Sequence, residues 1–112
     1  MDYTVPMDSA LQAIAEPTRR RILHLVWDRE LPAGEIARHF EVTRPAISQH
    51  LRILKDVGLL SERRDGTRRL YRARPEGLEE VRAFFESLWD DSLARLKEAA
   101  EDAATQHQED AS

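Results

Sequence analysis

Residues 43–54 read Thr43-Arg44-Pro45-Ala46-Ile47-Ser48-Gln49-His50-Leu51-Arg52-Ile53-Leu54, and the two faces of this stretch decide the fold. At 100° per residue, Ile47, Leu51 and Leu54 cluster within about 60°, a narrow stripe suited to a core. Pro45, Ser48, Gln49 and Arg52 fall on the opposite side, and Arg44 projects from the first turn. Thr43 is a natural N-cap, Pro45 fits a first turn, and Gly58 stands where a helix needs a left-handed residue to stop. The pattern predicts a helix from about 43 to Val57. It is anchored on one side and offers short donors and acceptors on the other, as insertion in a DNA major groove requires.

The flanks extend this reading. Upstream, Pro32 opens a short helix through Phe40, with Ile36, Ala37 and Phe40 at helical spacing. Glu41-Val42 joins it to the next helix, so residues 33–57 form a helix-turn-helix. Downstream, Leu59–Arg64 and Arg68–Ala73 flank Asp65-Gly66-Thr67, a hairpin signal that makes residues 59–73 a wing. Before these lie a helix over 8–15, capped by Asp8 or Ser9, and a second over 17–27 opened by Pro17. Residues 76–103 form one long helical pattern, about 39 Å at 1.5 Å per residue. The expected class is mainly α with a small β-hairpin wing, in the order α-α-α-α-β-β-α. It forms one winged helix-turn-helix domain over residues 1–112, with a frayed tail at 105–112.

Composition agrees once it is divided along the chain. The 112 residues carry a net charge of −4 and no cysteine. Residues 18–74 hold 14 basic against 7 acidic side chains, whereas residues 75–112 hold 3 against 11. A basic centre between acidic ends points to nucleic-acid contact in one part of the fold. The absence of cysteine excludes disulfides, thiolate metal sites and thiol catalysis. No apolar run reaches the ~18 residues that span a bilayer, and the start lacks the pattern of a signal peptide. A cytoplasmic protein is expected.

The residues then take roles. Arg44, Pro45, Ser48 and Gln49 are placed to read bases. Thr43, His50 and Arg52, with the wing arginines Arg63, Arg64, Arg68 and Arg69, are placed on the DNA backbone. His50 sits at the edge of the core stripe, where it can instead pack against the domain. Tyr71 is expected to pack rather than stack on a base. One or two of Arg19, Arg20 and Arg21 are expected on phosphates, the rest in ion pairs. Ser48 and His50 are two apart on a helix and point in different directions, so no catalytic pair forms and no enzyme is expected. Phe85, Leu88, Trp89 and Leu96, with Phe84 and Leu93 beside them, form an apolar face wider than a small domain can cover. With Leu11 and Ile14 of the first helix, they are the expected interface of a homodimer.

Two segments resemble the ArsR family of winged-helix repressors. Ala15-Glu16-Pro17-Thr18-Arg19-Arg20-Arg21-Ile22-Leu23 resembles the family's opening, and Arg44–Leu54 resembles its recognition helix. Gly58-Leu59-Leu60 and Gly66-Thr67-Arg68-Arg69-Leu70-Tyr71 are similar to its helix exit and wing. The likeness covers about residues 8–100 and is nearest the autorepressor-like branch with a long terminal helix. It implies a bacterial, dimeric repressor that binds double-stranded DNA at a near-palindromic operator and can act on its own promoter. Many relatives sense metals. Here the third helix, Glu35-Ile36-Ala37-Arg38-His39-Phe40, has no thiol. Asp90, Asp91 and His107-Gln108-Glu109-Asp110 do not match the terminal-helix spacing. No metal and no cofactor are therefore expected, and a small-molecule effector is left unassigned. Glu41 departs from the Gly common in such turns. The alternatives are a ligand- or metal-responsive sensor of the same fold, or a helical protein-interaction module whose basic face is incidental.

Overall fold

The computed structural model describes residues 7–111, and side-chain surroundings for residues 7–106. Its elements are α1 (Met7–Ala15), α2 (Pro17–Leu25), β1 (Leu31–Pro32), α3 (Ala33–Ala37), α4 (Arg44–Asp56), β2 (Leu60–Asp65), β3 (Arg68–Ala73) and α5 (Pro75–Ala111).

Local chemistry sets these boundaries. Glu16 caps α2, its carboxylate accepting from the Arg19 N–H at 2.9 Å. Thr43 caps α4, its hydroxyl accepting from the Ala46 N–H at 3.3 Å. At the far end of α4, the Gly58 N–H donates to Lys55 O and the Leu59 N–H to Leu54 O, each at 3.0 Å. This is a Schellman stop, and Gly58 supplies the positive φ of 80° that it needs. In the wing, Asp65 pairs with Arg68, leaving Gly66-Thr67 as a two-residue turn with positive φ at Gly66 alone. That is the pattern of a type II′ hairpin.

The sheet has the order β1-β3-β2 with antiparallel neighbours. Strand β1 was not expected. Its two residues have no alternation to read, and only pairing of Leu31 with Tyr71 and Pro32 with Leu70 makes them a strand. It ties the root of the wing to the start of α3. Helix α3 is shorter than the expected Pro32–Phe40, and residues 38–40 close in tighter turns whose N–H groups reach back three residues.

The core draws on nearly every element: Ile22 and Val26, Ile36, the predicted stripe Ile47, Leu51 and Leu54, then Leu59 and Leu60, Tyr71 and Val81. Gly77, at the start of α5, lies against the end of α4. A Cβ there would come within 2.0 Å of the Gly58 carbonyl oxygen.

One sequence expectation is corrected: the long helix runs to Ala111 rather than to Ala103, so the segment expected to fray is helical as far as it is described. The chain divides into two compact units, up to Val81 and from Arg82 onward. Val81 is the last side chain of α5 that joins the core. From Arg82 the second unit is the rest of α5, and on it Phe85, Leu88, Trp89 and Leu96 are at least half exposed.

Candidate nucleic-acid interface

The outer face of α4 follows from its inner one. With Ile47, Leu51 and Leu54 in the core, Arg44, Pro45, Ser48, Gln49 and Arg52 are exposed. Among the described residues, the side chains of Arg44, Ser48, Gln49 and Arg52 have no hydrogen bond or ion pair with the protein. Their donors and acceptors are available to another molecule. Thr43 is already committed to its cap.

His50 turns the other way. Its Nδ1 lies 3.2 Å from Arg19 Nη1 and 3.9 Å from Glu16 Oε2. A guanidinium only donates, so Nδ1 accepts in this contact and the ring proton sits on Nε2. Arg19 also donates from Nε to Ala13 O at 2.7 Å and from Nη2 to Gln12 O at 3.3 Å. Arg20 Nη1 donates to Ile14 O and Ala15 O at 2.7 and 2.9 Å. Arg21 stacks over the Phe40 ring at 4.8 Å. Within the protein, two of this triplet are engaged by backbone carbonyls. Arg19 and Arg20 answer the unsatisfied carbonyls and negative dipole end of α1, which no reading of α2 alone reveals. His50 joins this contact through Arg19 and Glu16. Burial acts to raise the Glu16 carboxyl. The Arg19 N–H, the Arg19 guanidinium and a hydrogen bond from the Thr18 side chain outweigh it and hold the carboxyl below its ordinary value.

The wing is anchored by a second unforeseen contact. Arg63 grips Glu30 with two hydrogen bonds, Nε to Oε2 at 2.9 Å and Nη2 to Oε1 at 3.0 Å. The Arg63 hydrogen bond holds Glu30 below, and Glu30 holds Arg63 above, their ordinary values. Arg63 thus ties the wing to the segment before β1. Arg64 is exposed, with no partner among the described residues. Arg68 lies 3.6 Å from Asp65 and Arg69 3.8 Å from Glu62, loose pairs at the surface. Tyr71 is buried, as expected, and burial pushes its hydroxyl up.

Between α3, the first turns of α4 and the wing lies an open cleft of about 630 Å³, lined by Gly34, Arg38, Arg44, Ser48, Arg68 and Arg69 among others. Neither Gly34 nor Arg38 was singled out from the sequence. The basic count of the central segment was the only signal for Arg38.

Among the described residues, no three His, Asp or Glu side chains gather as a metal site. His107 lies outside the described side chains. No helix among the described residues is long and apolar enough to cross a membrane. Leu11 and Ile14 are partly buried against the core, whereas Phe85, Leu88, Trp89 and Leu96 are exposed.

Comparison with known proteins adds the following. Residues 16–62 match the family model described as "Bacterial regulatory protein, arsR family". The chain is 43% identical over 86 residues to the HTH-type transcriptional regulator Rv2034 of Mycobacterium tuberculosis, covering 77% of this chain and 80% of the relative. It is 45% identical over 60 residues to the transcriptional repressor SdpR of Bacillus subtilis, covering 54% of this chain and 67% of that one. The crystal structure of a possible transcriptional regulator for arsenical resistance superposes with a TM-score of 0.70 at 48% identity, covering 79% of this chain and 92% of that chain.

Proposed function

The chain belongs to the arsR family of bacterial regulatory proteins, and from that premise we propose that it represses transcription as a homodimer on a near-palindromic operator. It is a DNA-binding transcriptional regulator and not an enzyme. The observation that carries the proposal is the outer face of α4, exposed and unpartnered beside a wing pinned in place by Glu30 and Arg63.

In this reading Ser48 and Gln49 meet base edges, and Arg52, Arg64, Arg68 and Arg69 meet phosphates. A second copy pairs through the apolar face of α5. Six large apolar side chains stand exposed on α5 between Phe84 and Leu96, more than an isolated helix keeps in water. A two-fold pair would set two copies of α4 about 34 Å apart, on successive major grooves. Occupying such a site excludes polymerase, and the protein's own promoter is the first candidate.

A mobility-shift titration against the duplex upstream of its own coding sequence tests this. Preference over random duplex at ~150 mM salt is expected from the thousandfold scale of specific recognition. Equal affinity would contradict repression of its own promoter.

A further inference from the structure

We propose that the cleft between α3, α4 and the wing seats one phosphodiester of the DNA strand, gripped by Arg38 and Arg44, so that Arg44 holds the backbone instead of reading a base. The inference rests on the DNA-binding reading above.

Four guanidinium groups line the cleft: Arg38 at the C-cap of α3, Arg44 of α4, and Arg68 and Arg69 of β3. Glu35 is the carboxylate among the lining residues, which leaves the cleft strongly positive. Arg38 and Arg44 have no hydrogen bond or ion pair among the described residues. Arg68 and Arg69 hold their acids only at 3.6 and 3.8 Å, beyond hydrogen-bond length, and can turn to a better anion. Arg38 and Arg44 thus bring two guanidinium groups without a carboxylate partner to one cleft, where an entering anion relieves their repulsion, and a planar fork fits a phosphate in particular.

Gly34 lies beside the Arg44 guanidinium. A Cβ at Gly34 would lie 3.3 Å from Arg44 Nη1, with Cζ and Nη2 within 3.9 Å. The guanidinium therefore lies back over the first turn of α3, above the cleft, rather than outward along the reading face of α4. A side chain at residue 34 would crowd the guanidinium in this position. Ser48 lines the same cleft, so a strand held there passes directly beside the face that presents Ser48 and Gln49. The cleft thus sets the register in which those two side chains meet bases.

The test uses the full chain and the tightest duplex selected from a random library, with a random duplex beside it. Arg44→Ala and Arg38→Ala should weaken binding to both duplexes by the same factor. Each should reduce the slope of log affinity against log salt by about 0.9, the value of one phosphate contact. Gly34→Ala should weaken both similarly without lowering the melting temperature, since alanine suits a helix better than glycine. Replacing chloride with inorganic phosphate at matched ionic strength should leave the wild-type affinity unchanged. Loss of discrimination at one base position in Arg44→Ala, with an unchanged slope, would overturn the proposal and make Arg44 a base reader. Competition by inorganic phosphate at matched ionic strength would overturn it in favour of a free-ion site. If the wild type binds selectively and with strong salt dependence while both arginine variants match it, the cleft assignment fails alone. If the wild type binds no duplex, the DNA-binding reading fails first.

Discussion

Arg19 shows what a sequence can and cannot disclose about one residue. Its charge at a helix start is visible as a local conflict with the macrodipole. Its resolution is not, because the carbonyls of Gln12 and Ala13 and the ring of His50 reach it only in the folded chain. Glu30 and Arg63, 33 residues apart, are hidden for the same reason. The faces of α4 were legible because a helix converts spacing directly into direction. Gln49 accordingly belongs among the readable residues. Gln49→Ala should reduce discrimination between selected and random duplex by ~1–3 kcal/mol, whereas Arg64→Ala should weaken both and lower the salt slope by about one. Fluorescence anisotropy over a salt series separates the two. Glu16 gives a pH test. Its folded carboxyl is held below the ordinary value, so its contribution to stability is present above that value and fades as pH falls through the folded pKa. Glu16→Gln should be less stable than the wild type at pH 7, and the difference should close in acid. A constant gap in urea melts from pH 7 to pH 3 would contradict the cap and its charge partners.

At the scale of elements, caps and stops were legible and close approaches were not. Pro17, Thr43 and Gly58 act where their chemistry places them. Gly77 carries no such signal, because an early glycine in a helix has no distinctive neighbour in sequence. Its reason is spatial: the Gly58 carbonyl occupies the place of its Cβ. Gly77→Ala should therefore destabilise by at least the ~1–3 kcal/mol of overpacking, although alanine favours helix intrinsically. A more stable Gly77→Ala protein in denaturant melts would show that α5 can shift at no cost. Leu51, 1% exposed on the inner stripe of α4, should lose ~2–5 kcal/mol on truncation to Ala. Strand β1 escaped notice because two residues define no period, yet it pairs with the wing strand β3 and its Pro32 lines the cleft.

The whole molecule divides its charge and its apolar surface between different stretches of chain. The basic residues gather in the helix-turn-helix and wing, and the exposed apolar side chains gather on the acidic terminal helix. A net charge of −4 thus coexists with a basic reading face. Trp89, 64% exposed, is the side chain whose exposure most calls for a second copy. Trp89→Ala should weaken self-association at least about tenfold in sedimentation equilibrium, and an undiminished dimer would place the interface elsewhere. Dimerisation and reading by α4 meet in one measurement, the selection of duplexes from a random library by the full chain. The expected product is an inverted repeat whose half-site centres lie about 10 base pairs apart, or a multiple of that spacing, bound by two copies. Recovery of no consensus, or of a single unrepeated site bound by one copy, would contradict a homodimer that reads DNA through α4.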